Sequence, residues 1–161
     1  MNAHSLQSFF TAIPVDWFVI AVIIIVLFID SMRSGTGRSA TIAIAFPLAL
    51  ALFQLLPKTV ILGAFAATNV SVVQASLFAV LAVLMYLLVN RMISSYGLTG
   101  SFITSALGAI AATIAIVFVW VQIPGLLALW HFGSGIQTAF GVAYRFWWLI
   151  VAYIALAFAR S

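Results

Sequence analysis

The fold is decided by residues 17–38, WFVIAVIIIVLFIDSMRSGTGR. Thirteen consecutive apolar residues are followed by one acid, two arginines and two glycines. A helix needs about 20 largely apolar residues to cross a bilayer, and glycine permits a tight reversal of the chain. The stretch therefore predicts a membrane-spanning helix, a charged turn and the start of a second, antiparallel helix.

The composition extends this prediction to the whole chain. Of the 161 residues, 66% are hydrophobic and 5% are charged, and the mean hydropathy is +1.32. An average soluble domain has about 25% charged residues, so a soluble globule of this composition could not cover its core. We predict an all-α fold, a polytopic transmembrane bundle of four to five helices, in a single integral membrane domain over residues 1–161. The apolar segments are approximately 17–32, 39–56, 72–89, 102–123 and 138–159.

The fifth segment is open to two interpretations, because Arg145 lies within it. It either crosses the membrane, with Arg145 reaching the outer headgroups, or lies flat at the interface. The intervals 57–71 and 124–135 contain apolar runs too short to span, and both are expected to contribute to one structured cap on the same side of the membrane.

Orientation follows from the basic residues, which accumulate at helix ends on the cytoplasmic side. With the N-terminus outside, four of the six lie inside and two outside; the inner ones are Arg33, Arg38, Arg91 and Arg160, and the outer ones are Lys58 and Arg145. All five tryptophans then fall toward the outer interface, where indoles are enriched. We predict a multi-pass protein of a cell membrane with its N-terminus outside.

Asp30 is the candidate functional charge of the first helix. It follows Trp17 by thirteen residues, or roughly 20 Å of helix against about 30 Å of hydrocarbon, so it can be drawn below the headgroups. An ionised group at that depth is costly and is a functional hypothesis by default. Arg33, three residues later, is the expected partner, while Arg38 and Arg91 add charge on the same side. The pair either anchors the turn or lines an inner vestibule for an ion or proton.

The fourth helix carries a stripe of small residues at four-residue spacing: Ser101, Ser105, Ala109 and Thr113. Residues four apart share one helical face, and helices in lipid associate where small residues let their backbones approach. We predict that this face packs against another helix.

Few residues here have catalytic or metal-binding potential. The chain has two Asp, two His, no Glu and no Cys, whereas catalysis needs a nucleophile with a base, paired carboxylates or a metal cluster. GTGRS at 35–39 lacks both the first glycine and the lysine of a phosphate-binding P-loop. We expect no catalytic residues, no metal and no cofactor. The net charge of +4 comes from scattered residues and predicts no nucleic-acid face.

Three stretches resemble the CvpA family, the colicin V production proteins. The family has an Asp before its first helix and a basic glycine turn after it, which correspond to Asp16 and to Arg33, Gly35 and Arg38. NRMISSYGLTG at 90–100 is similar to the end of the family's third helix and its glycine turn, and YRFWW at 144–148 to an aromatic tail segment. The family's Asp-Arg pair after that turn is replaced here by apolar residues.

The resemblance implies a small polytopic protein of bacterial inner membranes, with roles in bacteriocin export and envelope homeostasis. We therefore expect a non-enzymatic protein that supports secretion or envelope function. Its expected partners are the lipid bilayer and either other membrane proteins or further copies of itself. Two alternatives are an accessory subunit of a large membrane complex and a channel or transporter component with an Asp30/Arg33 vestibule.

Overall fold

The computed structural model describes residues 14–58, 70–93 and 101–159, and every regular element in these ranges is helical. This confirms the all-α fold class. The α-helices are α1 Val15–Ser34, α2 Gly37–Leu55, α3 Ser71–Ile93, α4 Phe102–Trp120, α5 Pro124–Leu129, α6 Ser134–Ala139 and α7 Arg145–Ala159. A 3-10 turn, Leu56–Lys58, follows α2.

Four of the described helices, α1 to α4, are long and apolar enough to cross a membrane. A helix satisfies its own backbone N–H and C=O groups, which is the requirement that hydrocarbon imposes on a spanning segment. The 20 residues of α1 extend over about 30 Å, which matches the thickness of the hydrocarbon. A multi-pass membrane protein follows from these four helices.

Helix α4 lies at the centre of the bundle and contacts α1, α2 and α7, while α3 packs on α2. Six of the eleven buried residues of α4 are small, either Gly, Ala or Ser, and Ala109, Ala111, Ala112 and Ala115 are fully buried. Small side chains let neighbouring backbones approach closely, so dispersion contacts can hold helices together where lipid offers no hydrophobic drive. In α1, by contrast, Ser31 alone is fully buried.

Successive long helices run in opposite directions, so the bundle has two distinct ends. Gly35 and Thr36 join α1 to α2, and Gly35 has φ 83°, which glycine adopts without strain. Phe28 and Phe102 pack edge to face at 5.1 Å, so α4 starts at the end where α1 finishes. We call this the hairpin end. The opposite end holds residues 121–144, which connect α4 to α7 and are called the cap.

The prediction of one helix over 138–159 was wrong. The described chain forms α6, then a turn, and α7 begins only at Arg145. Gly141 lies in that turn, where its N–H donates to the Thr138 carbonyl oxygen and an added Cβ would lie 3.0 Å from that oxygen. A side chain at position 141 would crowd this turn, and glycine leaves room for it. The turn separates α6 from α7.

Helix α7 packs along α4 instead of lying across the bundle. Ala152, Ala155 and Ala159 form its buried face, and the Arg145 guanidinium at its start donates to Gln122 just beyond the end of α4, at 3.4 Å. The two helices are thus antiparallel. With 15 residues, α7 covers about 22 Å, which is shorter than α1 to α4.

The other helices differ from the predicted segments by a few residues at their ends. Helix α3 continues to Ile93, four residues beyond the prediction, and so includes Arg91 in its last turn. Helix α4 ends at Trp120, before the predicted 123. The predicted glycine turn at 97–100 and Arg160 lie outside the described residues.

Candidate functional site at the hairpin end

The ion pair of the hairpin end joins Asp30 to Arg38. The Arg38 guanidinium donates to Asp30 Oδ1 at 3.1 Å, and the side chains are 39% and 55% exposed for Asp30 and Arg38 respectively. The expectation that Arg33 pairs with Asp30 was wrong. Because only two residues connect the antiparallel helices, positions 30 and 38 face each other across the turn.

Arg33 is exposed in the last turn of α1 and makes no ion pair with a described residue. A cation at a helix C-terminus opposes the negative end of the helix dipole. Arg91 occupies the corresponding position in the last turn of α3. Since α3 runs toward the hairpin end, three arginines and one carboxylate mark this end of the bundle.

Four hydroxyl side chains are buried beneath the charged turn. Ser31, Thr36, Ser39 and Ser105 are 0–1% exposed, and their hydroxyl oxygens have no hydrogen-bond partner among the described residues. A buried polar group without a partner costs about 1–3 kcal/mol. Such groups are uncommon in folded proteins and call for an explanation.

Two other buried hydroxyls of the bundle show the usual arrangement. Thr41 donates to the Gly37 carbonyl oxygen and Thr113 to that of Ala109, both at 2.8 Å. This bond to the carbonyl four residues earlier satisfies a hydroxyl within its own helix. The four hydroxyls at the hairpin end make no such bond, so they are available to another group.

Gly108 of α4 lies against the centre of this cluster. A Cβ at Gly108 would lie 3.3 Å from Ser39 Cβ and 3.9 Å from the hydroxyl oxygens of both Ser31 and Ser39. The missing side chain therefore lets α1 and α2 approach α4 closely. Ser31 and Ser39 face α4, while their neighbours Asp30 and Arg38 meet on the exposed side of the hairpin.

The small-residue stripe of α4 is divided between two environments. Ser105, Ala109 and Thr113 are buried between helices. Ser101 is exposed and caps α4, where its hydroxyl accepts the Thr104 N–H at 3.3 Å. A serine at the N-cap satisfies one of the donors that the first turn of a helix leaves without a partner.

The cap holds the opposite end together through Asp16. Its Oδ2 accepts the Gly133 N–H at 2.6 Å, a charge-assisted bond between residues 117 positions apart. Arg145 donates to the Phe140 carbonyl oxygen at 3.4 Å as well as to Gln122. Both charges thus serve the packing of the cap.

A second feature of the cap end is an apolar groove of about 220 Å³ between α1 and α4. It is lined by Val19, Ile23, Ile116, Val117, Trp120, Trp130 and Phe132. Trp120 closes it by donating its indole N–H to the Trp130 carbonyl oxygen at 3.2 Å. The groove contains no polar group that would orient a polar ligand.

Sequence reasoning found the charges of the hairpin end but missed the hydroxyl cluster. Ser31 and Ser39 stand eight positions apart around the glycine turn, as do Asp30 and Arg38, and that symmetric spacing was the available signal. In the described ranges, no three His, Asp or Glu side chains come together in a way that could hold a metal ion.

No protein-family model, curated protein or solved structure matches this chain.

Proposed function

We propose that this chain is a non-enzymatic protein of the bacterial inner membrane that supports secretion or envelope function by binding another membrane protein. The resemblance to CvpA proteins supports the setting. The excess of basic residues at the hairpin end supports a cytoplasmic position for that end, with the N-terminus outside.

The observation that carries the proposal is the exposed charge at the hairpin end. Arg33 is exposed without a described ionic partner, beside the exposed Asp30–Arg38 pair. Arginine forms geometrically specific bonds with carboxylates and is enriched at protein interfaces. The partner surface that fits is acidic and lies close to the membrane, because Arg33 ends a spanning helix.

Recovery of the protein from membranes in a mild detergent tests this proposal. We expect a stoichiometric companion with wild-type protein and weaker recovery of it with Arg33→Lys, which keeps the charge but loses the planar guanidinium. Arg33→Glu should reduce the companion at least tenfold, because it places like charges across the contact. A lone, stable wild-type monomer would contradict the proposal, as would equal recovery with Arg33→Glu.

Single cysteines test the orientation, since the chain has no native Cys. Ser34→Cys at the hairpin end should react with an impermeant thiol reagent only after the cells are lysed. The matched position is exposed His131 in the cap, and His131→Cys should react in intact cells. The reverse pattern would overturn the proposed orientation.

A further inference from the structure

We propose that the hairpin end holds a binding site for a small monovalent anion of the chloride class, between Ser31 of α1, Ser39 of α2 and Ser105 of α4. This goes beyond the proposed partner binding and does not depend on it. The hydroxyl oxygens of these three serines are buried and have no hydrogen-bond partner among the described residues, and those of Ser31 and Ser39 both lie beside Gly108.

Three helices bring these hydroxyls together. The oxygens of Ser31 and Ser39 each lie 3.9 Å from the point that a Cβ of Gly108 would occupy. Ser105 is three residues before Gly108 on the same face of α4, about 4.5 Å nearer the hairpin end. Thr36 likewise precedes Ser39 by three residues, at the N-cap of α2. Because α2 runs parallel to α4, Thr36 also lies nearer the hairpin end than Ser39. The hydroxyls therefore occupy two adjacent levels beneath the turn.

The electrostatics of this place favour an anion over a cation. Helices α2 and α4 both begin here and present the positive ends of their dipoles, whereas only α1 of the three ends here. The first turn of α2 has no side-chain cap, because the Thr36 hydroxyl does not accept one of its N–H groups. Hydroxyl and backbone N–H donors at a helix N-terminus form a natural anion-binding environment.

The charged residues at the turn add to the same preference. Arg38 and Arg33 outnumber Asp30, and Arg38 immediately precedes Ser39. A metal cation at these hydroxyls would meet two positive helix ends, so the hydroxyl oxygens are poorly placed as its ligands. Asp30 forms an ion pair with Arg38 in the present structure, and it carries the same sign of charge as the ligand. Its negative charge therefore opposes binding of an anion nearby.

The site lies close to the hairpin end. Ser105 is the fourth residue of α4 and Ser39 the third of α2, so both lie within one turn of the helix ends. The close packing beside Gly108, where an added Cβ would lie 3.3 Å from Ser39 Cβ, favours a small ion over a larger oxyanion such as a phosphate ester.

Thermal unfolding of the purified protein in detergent, titrated with potassium chloride or bromide against potassium gluconate, tests the proposal. A ligand that binds only the folded state raises the unfolding temperature with saturation. We expect saturable stabilisation of wild-type protein by the two halides. Removal of two donors in the double variant Ser31→Ala/Ser39→Ala should raise the half-saturating concentration at least tenfold. Ser76→Ala is the matched control, because its hydroxyl is exposed and bonds within α3.

Asp30→Asn gives an independent test at an exposed position, should the double variant fail to fold. Removal of the opposing charge should lower the half-saturating halide concentration at least threefold. Absence of saturable stabilisation in wild-type protein would overturn the proposal. It would equally be overturned by an unchanged half-saturation in Asp30→Asn, or by stabilisation that follows the cation when sodium replaces potassium.

Discussion

Gly125 is the position where a single methyl group should disturb the cap most. It is the second residue of α5, and an added Cβ would lie 2.5 Å from the Ser71 carbonyl oxygen and 2.8 Å from the Ala75 nitrogen. Ordinary van der Waals contact begins at 3.4 Å. Relief of the first contact, from 2.5 to 3.4 Å, therefore requires α5 and the start of α3 to separate by about 0.9 Å.

The expected loss in Gly125→Ala follows from two opposing effects. Overpacking costs about 1–3 kcal/mol, and the upper value applies because both obstructing atoms belong to the backbone and cannot rotate away. Replacement of Gly by Ala also lowers the conformational entropy of the unfolded chain, which stabilises the folded state by about 0.4–1 kcal/mol. The net destabilisation is about 2 kcal/mol, or about 4–8 °C in unfolding temperature for a chain of this size.

Gly135→Ala is the matched control. Gly135 is also the second residue of a six-residue helix in the cap, α6, but no atom lies within 4 Å of an added Cβ. Only the unfolded-state effect remains, so this variant should be more stable by about 0.4–1 kcal/mol. Thermal unfolding in detergent, followed by the helical circular dichroism signal, compares the two. If Gly125→Ala unfolded at or above the wild-type temperature, the close packing of α5 on α3 would be refuted.

Three further substitutions test individual contacts by the same unfolding measurement. Asp16→Ala removes the charge-assisted bond to the Gly133 N–H and should cost about 1.5–3 kcal/mol, with Asp16→Asn costing less; wild-type stability in both would contradict that bond. Trp148→Phe loses the 2.7 Å bond to the Ala139 carbonyl oxygen but keeps an aromatic ring against Phe140, so we expect a loss of about 1 kcal/mol, and an unchanged stability would disprove the bond. Arg38→Gln breaks an exposed ion pair worth about 0–1 kcal/mol, and a loss above about 2 kcal/mol would show that the pair is not screened by solvent.

The spanning helices were predictable because their cause is local. Thirteen consecutive apolar residues after Asp16 place α1 in lipid whatever the rest of the chain does. The fifth helix was misjudged because the residues before Arg145 are also apolar, and hydropathy alone does not distinguish a short cap helix from the start of a span. The break depends on how Gly141 turns back on Thr138, which is a matter of three-dimensional fit.

The candidate site at the hairpin end was also only partly predictable from the sequence. The charged turn was evident from sequence, since charge is rare in this chain. The partner of Asp30 was not, because Arg33 is near it along the helix and Arg38 is near it only across the hairpin. The burial of Ser31 and Ser39 depends on Gly108, which lies about 70 residues further along the chain, and no local pattern relates them.

The amino-acid sequence is sufficient to predict a helical membrane protein with a charged, glycine-containing turn between its first two helices. Apolar length and rare charges act locally, and their effect does not depend on what packs against them. Three features come from tertiary packing: α4 is the central helix, Asp30 pairs with Arg38, and four hydroxyls are buried near the hairpin turn with no partner in the described part of the chain. These outcomes depend on which helix faces meet, and in a chain whose helices are apolar on every side, only close packing of small residues selects those faces.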